Sequence, residues 1–236
     1  MSKGTIARPR ARGKAALVAA ALAASLMSSV TPAAAAEESK PPTVQQYLAW
    51  LDAQDDPGAD QVASQFKDLS EADKEKFLGY LVDADVLKAF VETMAAPVPQ
   101  TRVLEGGDVV IEVNNGAAPT GIGTRGTAGD WSCWSQFTQT LLGIDMTRLK
   151  LEQWYHSTTT KVDKVYNAAA SKRNFNIGVA ISSLPEEQWI SAAGNALAYV
   201  TWEGKMTVSG YTAQLDKRHH IRCDETGFRY HYLKNI

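Results

Sequence analysis

The chain has 236 residues, 24 basic against 26 acidic side chains, a formal net charge of −2 and two cysteines. With no basic block beyond residue 36, this balance excludes a nucleic-acid-binding protein. A lone pair of cysteines excludes a zinc site built from repeated Cys-x-x-Cys pairs.

Lys3, Arg8, Arg10, Arg12 and Lys14 form a basic flank, followed by the apolar run AALVAAALAASLMSSV (15–30) and small residues at 33–36. This layout predicts a secretory signal peptide over 1–36, cleaved after Ala36. The apolar run is shorter than the roughly 20 residues that span a bilayer, and alanine and serine dominate it. No cysteine near the cut offers a lipid acceptor, and no apolar tail closes the chain. The expected product is secreted and extracellular, with no membrane anchor in the mature form. Without the leader, 19 basic residues face 26 acidic ones. Residues 37–130 hold 17 acids and 7 bases, and 131–236 hold 9 acids and 12 bases, so two regions of different construction are expected.

EESKPP (37–42) reads as a disordered lead. A helical region is then expected over 43–96. Val44, Tyr47, Leu48 and Leu51 recur at helical spacing after Thr43, a good N-cap. Val62, Phe66 and Leu69 form a second stripe. Ser70 with Asp73 three residues on opens a third helix carrying Phe77, Leu78 and Leu81, and Val86, Leu87 and Phe90 mark a fourth. Each is too short to stand alone, so they must pack on one another or on the remainder. Pro97 and Pro99 end the run.

From there the period changes to two. A linker strand and Gly-rich loop are expected over 97–130: GDVVIEVNNG (107–116) alternates up to an Asn-Gly turn signal, and AAPTGIGTRGTAGD (117–130) follows. GIGTRG has the letters of a dinucleotide fingerprint but no following helix. Residues 131–236 read as an antiparallel β-sandwich, with strands at 135–143, 147–157, 160–167, 175–182, 195–204, 205–216 and a hairpin over 219–233 turning at DETG. Glu203-Gly204 suggests a tight hairpin, and LPEEQWISAAG (184–194) could hold one helical turn. The fold class is thus α+β: a small N-terminal helical region, then an antiparallel β-sandwich with one disulfide.

That disulfide is the reading of Cys133 and Cys223. In GDWSCWSQF (129–137), the triplet Ser132-Cys133-Trp134 resembles the nucleophile segment of papain-like proteases. Yet Trp131 stands where their preceding cysteine falls, no glutamine precedes Cys133 at the spacing their oxyanion hole uses, and His219 and His220 follow it by fewer than 90 residues. A metal site would draw on His219, His220, His231, Cys223, Asp224 and Glu225, but strand alternation makes these donors diverge. An even cysteine count in an exported chain points to a bridge. It would close about 90 residues, stabilise by about 4 kcal/mol and join the first and next-to-last strands, with Trp131 and Trp134 shielding it.

With both cysteines structural, function falls to surfaces. Alternation puts His220, Arg222, Arg229 and His231 on one face of the last hairpin, extended by Lys217 and Arg218, while Ile221, Cys223, Phe228 and Tyr230 point inwards. Such a basic face suits an acidic partner, a cell-wall polyanion or the acidic helices. Trp154 on the polar face of its strand and Trp189 in EEQW suit sugar rings or protein hot spots. The chain lacks G-x-S-x-G and H-E-x-x-H. No catalytic residue, metal or cofactor is expected. The alanine-rich leader, acidic front and tryptophan-bearing back resemble small secreted proteins of high-GC Gram-positive bacteria. The expected function is a secreted, non-enzymatic binding or interaction protein: a subunit or adaptor of an extracellular assembly, or an inhibitor. Its expected partner is an extracellular or envelope protein or a cell-wall polymer. The alternative is a secreted hydrolase acting on wall glycan or peptide.

Overall fold

The structure, a computed structural model, describes residues 40–121, 128–208, 211–214 and 216–236. The expected signal peptide, the start of the disordered lead and the centre of the Gly-rich loop lie outside these residues. No described helix is long and apolar enough to cross a membrane.

Four helices come first: α1 (Val44–Asp52), α2 (Ala59–Asp68), α3 (Glu71–Tyr80) and α4 (Ala84–Met94). The starts of α1, α3 and α4 are set by side chains that satisfy free backbone N–H groups. The Gln46 N–H donates to Thr43 Oγ1 while the Thr43 N–H donates to Gln46 Oε1, a full capping box. Ser70 accepts from the Asp73 N–H, and Asp83 from those of Asp85 and Val86. The apolar stripes meet in a cluster of Tyr47, Phe66 and Phe77, with ring centroids 5.0 to 5.5 Å apart. Burying each ring contributes about 1.5–3 kcal/mol.

Eleven strands follow among the described residues. β1 (Gln100–Leu104), β2 (Val109–Pro119), β3 (Gly129–Leu141), β4 (Ile144–Ser157) and β5 (Val162–Asn174) form one antiparallel meander. β6 (Val179–Ser183), β7 (Glu187–Ile190), β8 (Ala196–Val208), β9 (Tyr211–Gln214), β10 (Lys217–Asp224) and β11 (Gly227–Asn235) form a second sheet. β8 is its spine: β7 and β6 line one edge, β10 and β9 the other.

The inner faces meet in one core that continues into the helices. Trp131, Phe137, Leu149, Leu151 and Tyr155 oppose Ala196, Ala198, Val200, Trp202 and Ile221, all at most 1% exposed. Gln153 Nε2 donates to Ala196 O (3.2 Å) and Tyr155 Oη to Asp224 O (2.8 Å), tying the sheets where an unpaired polar group would be costly. Cys133 on β3 and Cys223 on β10 form the disulfide, both fully buried with Cα atoms 6.7 Å apart.

The helices sit on one end of the sandwich. Tyr47 Oη donates to Phe175 O (3.0 Å), Asn176 Nδ2 to Leu81 O (3.4 Å), and Met146 and Phe175 are as buried as the ring cluster. The contact is apolar at its centre, with ion pairs Lys76–Asp108, Arg102–Glu92 and Arg173–Asp56 towards its rim. The last hairpin's basic residues contribute none of these pairs.

Several local expectations change. Asn115-Gly116 is no turn: β2 runs through it, in register with β3 from Val109↔Leu141 to Pro119↔Trp131. The expected linker strand is thus part of the sheet. The glycine answers to packing, since a Cβ on Gly116 would enter the van der Waals radius of the Trp134 ring. Trp134 points outwards, under Lys150, so Trp131 alone of the two tryptophans lies on the disulfide's side. Period-two alternation separates position 134 from 131 and 133. With β1 and β2 ahead of it, β3 is the third strand, not the first. Glu203-Gly204 lies inside β8, opposite Ser182 and Ile181, and 184–194 contains β7 rather than a helical turn. In both places ladder pairing overrides a local preference.

Candidate functional site

On β8 the inward residues Ala196, Ala198, Val200 and Trp202 alternate with Leu197, Tyr199 and Thr201 on the opposite side, where Leu197 and Tyr199 are half-buried and Thr201 is buried. The ladder registers extend this outer side into three rows across the strands. Glu187, Tyr199, His220 and Tyr232 form one; Trp189, Leu197, Arg222 and Tyr230 the next; Thr201, Arg218 and Lys234 the third.

The rings of these rows touch. His220 stacks on Tyr232 at 4.7 Å, and Tyr232 on Tyr230 at 6.2 Å. Trp189 sets its edge against Tyr199 and His220, each at 5.8 Å. His220 is the buried floor at 6% exposure, while Trp189, Tyr230 and Tyr232 stand 37 to 39% exposed. Two guanidinium groups lie over rings: Arg218 at 4.3 Å from the Tyr199 centroid and Arg222 at 5.6 Å from that of Tyr230.

Charge on this platform is uneven. Arg218 and Arg222 form no ion pair among the described residues, and their Nε atoms are buried without a hydrogen-bond partner. The nearby carboxylate, Glu187, lies in register with Tyr199; hydrogen bonding to it, then burial and the Glu187 charge, push the Tyr199 phenol up. Burial, and secondly the Arg218 charge, lower the His220 pKa to about 4, so its imidazole is neutral at physiological pH. The face therefore offers apolar rings beside two cations that the protein itself does not neutralise.

Of the expected binding residues, Arg218, His220, Arg222 and Trp189 come together here. Four do not. His231 points into the core at 1% exposure, 5.6 Å from Phe137 and 6.1 Å from His219. Tyr230, expected inside, is outside. The cause is a bulge: pairing shifts from Arg222↔Tyr230 to Cys223↔Phe228, and the extra residue, Arg229, reverses the phase of β11. Arg229 pairs with Asp224 at 3.1 Å beside the turn, and Lys217 is held by Asn235. Trp154 is on β4, in the other sheet, opposite Ser132 and Asn167. Sequence reading missed Tyr199, Tyr230, Tyr232 and Glu187. Alternation along NALAYVTW was the available signal for Tyr199.

A cleft of about 560 Å³ between α1 and the β5–β6 connection is lined by Trp50, Asp56, Lys172, Arg173 and Lys205. Two of its cations are already engaged, Lys172 by Ile181 O and Arg173 by Asp56, which makes it the weaker candidate. Among the described residues no three His, Cys, Asp or Glu side chains lie close enough together to hold a metal ion. Comparison with protein-family models, with curated proteins and with solved structures gave no match.

Proposed function

We propose that this is a secreted, extracellular, non-enzymatic binding protein that recognises its partner on the outer face of the second sheet. One observation carries the reading. Three exposed aromatic rings and two cations without carboxylate partners are held on a rigid, hydrogen-bonded lattice. Exposed aromatic residues and arginines are the side chains that dominate recognition energetics, and a platform ordered in advance loses little entropy on binding. The buried disulfide supports export, because such bonds persist in oxidising compartments. The partner is an extracellular or envelope protein or a cell-wall polymer.

The test exposes the disulfide-bonded protein and its Trp189→Ala and Tyr232→Ala variants to envelope polymers and secreted proteins. Retention of the parent and loss of both variants, with unchanged melting temperature, supports the reading. Turnover of peptidoglycan, casein or chitin by the parent, abolished by one carboxylate substitution, would replace it with the hydrolase.

A further inference from the structure

Building on the recognition face above, we propose that its ligand is a linear acidic oligosaccharide. Its sugar rings stack on Trp189, Tyr230 and Tyr232, and its carboxylates pair with Arg218 and Arg222.

The size of the platform argues against a globular partner. Four strands about 4.8 Å apart and three rows about 6.8 Å apart span on the order of 200 Å². A stable protein complex covers about 800 Å² on each side. The same platform matches a few consecutive sugar rings, which present flat C–H faces that rings at 37 to 39% exposure can cover.

Charge then selects among saccharides. The three rows carry Arg218, Arg222 and Lys234 against one carboxylate, Glu187, which lies in register with Tyr199. Guanidinium and carboxylate are geometrically matched, the guanidinium donating two parallel hydrogen bonds that the carboxylate accepts. Both arginines are ordered by the rings beneath them, so less freedom is lost when an anion arrives. A neutral glycan would leave these cations unanswered. A polyanion without sugar rings would leave the three aromatic faces uncovered.

Calorimetric titration of the disulfide-bonded protein with an oligogalacturonate, a hyaluronan oligosaccharide, chitohexaose and poly-glutamate tests the assignment. The acidic saccharides should bind at least about tenfold tighter than the other two, and more weakly as salt rises. Tyr232→Ala and Arg222→Gln should each weaken them by roughly tenfold, with melting temperature unchanged. Chitohexaose or poly-glutamate binding as tightly would overturn the acidic-sugar assignment, as would indifference of the acidic saccharides to either substitution. If no saccharide binds but Tyr232→Ala abolishes retention of a protein partner, the ligand class is wrong and the recognition face stands. If neither substitution alters any binding, both fall.

Discussion

The two outer faces of the sandwich are made from similar residues and behave differently. On the first sheet, Lys150 lies over Trp134 and is paired with Glu152, Arg148 with Asp145, and His156 with Asp163, while Tyr166 donates to Asp130. Most of the cations there are answered by a carboxylate, and Lys164, over exposed Tyr166, is an exception with no ion pair among the described residues. On the second sheet, Arg218 and Arg222 lie over tyrosines and form no ion pair among the described residues. The difference is one of register. Alternation aligns Lys150 and Glu152 as outward neighbours on β4, whereas the β11 bulge brings Tyr230 and Tyr232, not acids, opposite Arg222 and His220. Possession of aromatics and cations does not mark a binding face; their lack of internal partners does.

The most severe way to break this comparison is to free the sheets from one another. Replacing Cys133 and Cys223 by alanine removes the cross-link between β3 and β10 and should cost about 2–5 kcal/mol in urea unfolding. A loss below 1 kcal/mol would mean that the core alone holds the sheets together.

Overpacking the first face comes next. Gly116→Ala should destabilise by about 1–3 kcal/mol, because the new methyl group meets the Trp134 ring on the paired strand. Trp134→Ala in the same chain should relieve that clash and recover part of the loss. Additive losses would place the strain elsewhere.

Acid should separate the second sheet's two faces. His219 and His231 on its inner side and His220 on its outer side all have pKa values lowered by burial. Below about pH 6.5 the unfolded chain takes up protons that the folded chain refuses, so stability is full above that pH and falls beneath it, for His220 down to about pH 4. Melting temperature should drop between pH 7 and pH 5, above the carboxylate range, and drop less in His220→Gln. A flat profile over that window would contradict the burial of all three.

Arg229→Ala should have the smallest effect, within about 0.5 kcal/mol, because its pair with Asp224 is exposed on the arginine side. It should also leave ligand binding on the second sheet unchanged. Loss of binding would return Arg229 to the face from which the bulge removes it.

What the amino-acid sequence determined by itself is whatever rests on short-range chemistry. The caps at Thr43 and Ser70 mark helix starts, the period of two over 147–157 marks β4, and an even cysteine count marks the bridge. Each involves neighbours in the chain or a parity that no packing can alter. What only the tertiary structure decided is where the chain keeps going when a local signal says stop, and which way a residue faces after an irregularity. Asn115-Gly116 and Glu203-Gly204 remain inside strands because hydrogen-bonded partners along their length outweigh a turn preference. His231 and Tyr230 exchange sides because one extra residue at Arg229 reverses every later side chain on β11. The candidate site depends on that exchange: its rows join residues from four strands, and such a juxtaposition exists only once the ladders have chosen their register.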